Sequence, residues 1–230
     1  MIAENVQRLL AQIAGGNGMG EPVTLVAATK TRTSEEINEA IAAGIMDIGE
    51  NKVQEFTQKF DAVQGGRRHF IGHLQTNKVK YLIGKADLIQ SLDRYELADE
   101  LQKRAEKAGW TANCLIEVNI GSELSKSGFS RKDVRAAYEK LRTYPNIRLC
   151  GLMAMLPISE DLAYLRSLCL SMREIYDTIK ADDTNFRFLS MGMSGDWELC
   201  LECGSNMIRL GTAIFGPRNL PAAGGEKEGA

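Results

Sequence analysis

The sequence predicts an α/β protein: a single (β/α)8 (TIM) barrel with an extra helix in front of it. Three observations carry that prediction. Eight short apolar runs recur along the 230 residues, amphipathic helical patterns separate them, and no linker or internal repeat divides the chain. Near-continuous apolar runs, as opposed to alternating ones, mark strands buried on both faces, as in a parallel sheet covered by helices. Eight such strands close a barrel, and roughly 200–250 residues is the usual length of one. An open doubly wound sheet satisfies the same alternation and stays open on pattern alone.

The chain begins MIAENVQRLLAQIAGG, apolar at three-and-four spacing with charges inside the pattern. That is an amphipathic helix, and it lacks the basic start, apolar block and cleavage site of a signal peptide. Gly15 to Gly20 (GGNGMG) follows this helix and opens a strand. A dinucleotide phosphate loop does the reverse, so the stretch reads as a connector. The apolar runs then fall at 23–29, 44–49, 68–72, 87–92, 113–120, 147–156, 186–191 and 207–211. Between them lie helical stretches such as SEEINEAIAAG, YELADELQKRAEKAG, RKDVRAAYEKLRTY and DLAYLRSLCLSMREIYDTIK. Ser34, Asp93 and Ser130 are the expected N-caps. The last residues, NLPAAGGEKEGA, read as a disordered tail, which sets the domain at 1–218 and the tail at 219–230.

Composition excludes several classes of function. Basic and acidic residues nearly balance, 28 against 30, so no concentrated basic face points to nucleic acid. No apolar run approaches the roughly 20 residues that span a bilayer. The five cysteines are odd in number and mostly sit inside apolar or helical patterns. Reduced thiols in the cytoplasm fit better than a disulfide framework. Cys200 and Cys203 form the only CxxC, without a second pair or a neighbouring histidine, and read as a packed helix face.

In a barrel, chemistry gathers where strands run out into the following loops. The first run ends at Ala28, Thr29 and Lys30. A lysine there is partly desolvated, which favours the neutral amine that attacks an aldehyde; an ordinary solvated lysine satisfies the same position. The second run ends at Asn51, able to line a pocket or to cap the next helix. The third ends at Gly72 and His73. His69 and His73, four apart on one strand, would share a face, but no third ligand stands near them and no metal is expected. The seventh and eighth runs lead into SMGMSGDWE and MIRLGTAIFG, small hydroxyl-bearing turns that open helices. Unpaired N–H groups and the helix dipole converge on an anion at such turns, and barrels favour phosphate there. Ser194 and Thr212 supply hydroxyls, while Gly195 and Gly211 allow close backbone approach. Arg209, two residues before Gly211, points to the same side of the pleat.

The ordered segments LVAATK, IGENKVQE, HFIGHLQTNKVK, ELSKSGF, SMGMSGD and IRLGTAIFG resemble the signatures of the pyridoxal phosphate homeostasis proteins, single-domain relatives of the alanine racemase N-terminal barrel. The resemblance spans about Val23 to Pro217. It implies the (β/α)8 fold and pyridoxal 5′-phosphate (PLP) as cofactor. Lys30 matches the Schiff-base lysine; Ser194, Gly211 and Thr212 match phosphate contacts; Arg209 matches the arginine facing the pyridine nitrogen. Asn51 and His73 match positions lining the pocket. Ile48 and Lys52 replace the Phe and Arg common in FGENR, and Asn206 replaces a Thr, none of them at a cofactor contact.

A guanidinium is a donor that cannot accept the ring proton, so the pyridine nitrogen stays neutral and carbanion stabilisation is weak. Little chain follows the eighth run, and alanine racemase needs a second domain and a tyrosine base from a dimer partner. The expected function is therefore to hold PLP and buffer it or deliver it to apo PLP-dependent enzymes, as a monomer without robust racemase activity. A small amino-acid racemase using Lys30 with His73 or a tyrosine is the alternative. A barrel enzyme for another sugar-like phosphate is a third.

Overall fold

The structure, a computed structural model, describes residues 1–123 and 126–217; the expected tail at 219–230 lies outside the described residues. The chain runs α1 (Ile2–Ile13), β1 (Thr24–Ala28), α2 (Ser34–Ala42), β2 (Asp47–Glu50), α3 (Val53–Lys59) and β3 (Arg67–Phe70). It continues with a 3-10 helix (Thr76–Tyr81), β4 (Leu88–Leu92), α4 (Tyr95–Ala108), β5 (Ala112–Asn119), β6 (Phe129–Ser130) and α5 (Val134–Leu141). β7 (Ile147–Ala154), α6 (Leu162–Lys180), β8 (Phe188–Ser190), α7 (Trp197–Glu202), β9 (Met207–Leu210) and α8 (Thr212–Phe215) complete it.

The strands pair in parallel in the order β4–β3–β2–β1–β9–β8–β7–β5, and β5 pairs back to β4. That last pairing closes the ring, so the fold is a (β/α)8 barrel and the open sheet is excluded. The two-residue β6 adds to β5 outside the ring. Along each strand, side chains alternate between the helix layer and the lumen. Leu25, Ala27 and Ile208 pack outward against the helices with Ile37 and Ile214. Val26, Leu88, Leu115, Met153 and Met207 meet in the lumen. Buried polar side chains occupy other strand positions: His69, Gln90, Ser190 and Arg209.

α1 fills a gap in this scheme. The helix after β9 is only the four residues of α8, too short to cover its strand. Val6, Leu9 and Ile13 of α1 supply the missing apolar cover, and Asn5 donates to the Ile214 carbonyl at 3.0 Å. The glycine-rich connector behaves as its order in the chain requires. Asn17 accepts from the Met19 and Glu21 N–H groups and donates to the Gly204 and Ser205 carbonyls. Glu21 then bonds Arg173 and Lys180. Burial opposes its ionisation, but those bonds and Asn17 bring its pKa down to about 2.

The caps differ from expectation. Thr33, one residue earlier than Ser34, caps α2 in a reciprocal box with Glu36. Arg94 and Asp133 hold the N-cap positions of α4 and α5 in place of Asp93 and Ser130. Asp93 is instead a buried partner of Arg94 and His73, and Ser130 donates to the Asp133 carboxylate. Among the described residues no helix is long and apolar enough to cross a membrane.

The β5–β7 register shifts between Cys114 and Leu115, opposite Gly151. Gly151 has φ 151°, and a Cβ there would lie 1.8 Å from the Phe188 carbonyl oxygen. Gly151→Ala must displace β8 and is expected to cost about 3 kcal/mol or more, read as a lowered urea midpoint. A variant as stable as the parent would contradict this packing.

Candidate functional site

At the C-terminal mouth of the barrel lies an open cavity of about 190 Å³, lined by Ala28, Lys30, Asn51, Ser194, Arg209 and Thr212 among others. Lys30 reaches it because strand alternation carries past β1: Ala28 and Lys30 line the cavity while Thr29 turns away. The Thr29 hydroxyl donates to Glu50 Oε1 at 2.7 Å. Thr31, next in the chain, has φ 68°, a left-handed conformation that costs a β-branched residue about 1–3 kcal/mol.

A network holds that strained turn in place. The Thr31 N–H donates to Glu55 Oε2 at 2.8 Å, and Lys59 Nζ bonds Glu55, Glu50 and the Thr29 carbonyl at 2.9, 2.6 and 3.0 Å. Burial raises the Glu50 pKa despite the hydrogen bonds from Lys59 and Thr29. The ends of β1 and β2 are thereby tied to α3, and Lys30 projects from a fixed base.

The opposite wall is built from two turns. Gly192, at φ 107°, lets the chain after β8 pass Trp197, whose Cα would lie 2.9 Å from a Cβ at this position. Asp196 Oδ1 accepts the Met193 N–H at 2.6 Å, and the Asp196 and Trp197 N–H groups donate to the Met193 carbonyl. After β9, the Ile214 and Phe215 N–H groups donate to the Gly211 carbonyl. Among the described residues, the N–H groups of Ser194, Gly195, Gly211 and Thr212 have no protein acceptor. Orphan donors on turns that open helices attract an anion, and the helix dipoles add to the pull.

Arg209 forms the floor. It is 4% exposed; Nη1 donates to the Ser190 carbonyl at 3.0 Å and to Ser190 Oγ at 2.5 Å, and Nη2 donates to the Ala154 carbonyl at 3.0 Å. Burial lowers its pKa, yet a guanidinium keeps its charge and offers only donors. Glu117 on β5 is a buried neighbour of this charge. Its own burial and the Asp93 charge raise its pKa to about 7 against the opposing pull of Arg209 and Arg94.

The structure thus brings Lys30, Asn51, Ser194, Arg209, Gly211 and Thr212 around one cavity. Asn51 leaves the N-cap of α3 to Lys52. His73 and Gly195 stand elsewhere. β3 ends at Phe70, so His73 lies past the strand, and it pairs with Asp93 at 3.1 Å and Ser127 at 3.3 Å. His69, inside β3, bonds Asp47 at 3.0 Å, so the two histidines do not share a strand face. Gly195 borders an adjoining hollow with Ser159, Leu162 and Arg166. Sequence reasoning missed Arg32, Ile71, Met155 and Met193 in the lining, and Glu117 beside Arg209. Glu117 had a visible signal, a lone acid inside the apolar run NCLIEVNI. Cys200 packs on Cys169 of α6, Sγ to Sγ 3.8 Å, and Cys203 is buried, in keeping with a packed helix face.

The family described as "Alanine racemase, N-terminal domain" matches residues 2–219. A pyridoxal phosphate homeostasis protein of Aquifex aeolicus is 40% identical over 220 residues, 94% of this chain and 95% of that one. Its namesake in Escherichia coli K12 is 35% identical over 86% of this chain and 87% of its own. The chain belongs to the pyridoxal phosphate homeostasis protein family. Among solved structures, PipY of Synechococcus elongatus superposes with a TM-score of 0.84 without PLP and 0.81 with PLP bound, at 31% and 30% identity. Both comparisons cover 94% of this chain and 100% of PipY. An alanine racemase of Corynebacterium glutamicum, 17% identical with a TM-score of 0.73, shares the fold over 96% of this chain and 62% of its own length.

Glu117 makes this family member's stability depend on pH. A carboxyl whose pKa rises on folding, here from 4.5 to about 7, binds its proton more tightly in the native state. Stability contributed below the lower value is therefore lost as pH climbs through that window. Glu117→Gln cannot ionise and is expected to exceed the parent by about 3 kcal/mol near pH 8, with no gain near pH 4. Denaturant midpoints across that range measure it; parallel pH profiles would contradict the assignment.

Proposed function

We propose that this protein binds PLP, holds it as a Schiff base on Lys30, and buffers or delivers it to apo PLP-dependent enzymes in the cytoplasm. One observation carries the reading: a lysine amine, two turns of unpaired N–H groups and a buried guanidinium surround the same cavity. The donor set fits the group. An amine takes the aldehyde, the turns at Ser194 and Gly211–Thr212 take the phosphate, and Arg209 takes the ring nitrogen. Family membership and the PLP-bound PipY support the choice of PLP over another sugar-like phosphate. The buried, unpaired cysteines suit a reducing compartment.

When bound, PLP supplies an electron sink whose strength depends on protonation of its ring nitrogen. Arg209 can only donate to that atom, so it leaves the nitrogen neutral and the sink weak. Racemisation also needs an acid/base group on each face of the substrate carbon. Among the described residues, the lining offers Lys30 but no carboxylate, imidazole or phenol. Arg32 is committed to the Gly216 carbonyl at 2.6 Å and to Glu36. These features support holding over turnover.

The test is direct. The protein loaded with PLP should be yellow, and borohydride should fix the label on the Lys30 peptide. Lys30→Ala should lose the colour and at least about 100-fold in affinity, nearly 3 kcal/mol. A label on another lysine would overturn the assignment. For the carrier role, holo-protein mixed with an apo-enzyme should restore its activity without exchanging the α-protons of free amino acids. Rapid exchange with loss of chirality would overturn it in favour of a racemase.

A further inference from the structure

Barrel lumens are usually filled by branched apolar side chains. Here a line of buried polar groups leads away from the site. Arg209 Nη1 donates to Ser190 Oγ on β8 at 2.5 Å. Ser190 Oγ donates across the lumen to Gln90 Oε1 on β4 at 2.7 Å. Gln90 Nε2 meets His69 Nδ1 on β3 at 2.9 Å. His69 Nε2 meets Asp47 Oδ1 on β2 at 3.0 Å, and Arg67 closes the far end with bonds of 2.7 and 2.6 Å to the two Asp47 oxygens. All but Arg67 are buried.

The two ends fix every proton between them. Arg209 can only donate, so Ser190 Oγ must accept from it and turn its own hydrogen toward Gln90. The Gln90 oxygen therefore faces Ser190, and its amide N–H faces His69. At the other end Asp47 can only accept: burial opposes its charge, but the hydrogen bonds from His69 and Arg67 prevail and lower its pKa. His69 must then present a proton on Nε2, while the Gln90 amide N–H requires its Nδ1 to accept. The two ends are compatible with one arrangement, with no donor meeting a donor. Buried hydrogen bonds in one direction polarise one another, and breaking one leaves unpaired groups on both sides.

We propose that Ser190, Gln90, His69 and Asp47 are positioning residues for Arg209, acting as one polarised hydrogen-bond chain that sets how its guanidinium is presented to the ring nitrogen of PLP. The proposal rests on the cofactor reading above and extends it to four residues that do not line the cavity. Asp47 acts at the opposite end of the barrel from Lys30, through three intervening side chains. The chain also gives His69 a task other than metal binding: it passes the direction of the carboxylate on to Gln90.

The experiment uses the full-length holo-protein. In the parent, nitrogen NMR of His69 should find Nε2 protonated and Nδ1 bare; a proton on Nδ1 overturns the chain without any variant. Ser190→Ala and Gln90→Met should each weaken PLP binding about tenfold, the worth of one buried hydrogen bond. Both should also shift the pH midpoint of the cofactor's visible band. Asp47→Asn, which can donate as well as accept, should shift that midpoint from the far end of the barrel. In an Arg209→Lys background these effects should shrink, because the chain acts through the guanidinium. Undiminished effects there, or none in the parent background, overturn the proposal. Arg209→Lys alone separates the two readings: no effect on band or affinity defeats the cofactor contact, whereas an effect there with silent chain variants defeats only the chain. Should Gln90→Met not fold, Ser190→Ala reads the same link.

Discussion

A cation that is 4% exposed cannot exist in a barrel lumen without acceptors arranged around it, and Arg209 on β9 imposes that requirement on two other strands. The Ser190 carbonyl and hydroxyl and the Ala154 carbonyl meet it from β8 and β7. The β7–β8 register, with Met153 beside Ser190, brings those acceptors next to one another. Glu117 feels the same charge, but its burial and the Asp93 charge outweigh that pull and raise its pKa to about 7. The mouth of the barrel is therefore organised around a donor that is already in place before any ligand arrives.

The wall carrying Lys30 is organised by a different device. A left-handed Thr31 is a local cost, and it persists because Glu55, Lys59, Glu50 and Thr29 restrain it from three elements at once. The result is a lysine on a stiff base facing a stiff floor, with the two turns of unpaired N–H groups on the far side. Binding then requires little reorganisation of the site, and so less of the interaction energy is spent on ordering it.

Much of this was legible in the chain. All eight barrel strands lie within or beside apolar runs, because strands buried on both faces need apolar residues throughout. Lys30, Ser194 and Thr212 stood out because strand ends and helix starts have signatures in sequence. Thr33 rather than Ser34 caps α2 because it stands three residues before Glu36, and the reciprocal box outweighs serine's slightly better N-cap propensity. The 3-10 helix at Thr76–Tyr81 is too short to carry a helical period. His73 sits off the strand that its apolar run suggests, because β3 stops at Phe70 and the histidine turns to the buried Asp93. The lumen chain was beyond reach altogether: Asp47, His69, Gln90 and Ser190 come from four strands, and nothing in a strand's own pattern sets its height against its neighbours.

That relative height explains why a carrier, on the proposed reading, keeps so polar a lumen. An apolar filling would be cheaper in desolvation, and replacing buried polar networks by well-packed apolar groups is often neutral or stabilising. What an apolar lumen cannot do is hold a donor-only cation at a chosen angle. A reversible tether on Lys30 exchanges readily only if the remaining contacts hold the ring without activating it. A neutral ring nitrogen meets that condition, and a donor that occupies its lone pair favours the neutral form. Fixing Arg209 through Ser190 and Gln90 to a carboxylate at the far end of the barrel keeps that donor in position whether or not the cavity is filled. The polarity of the lumen and the weakness of the expected catalysis then have one physical cause.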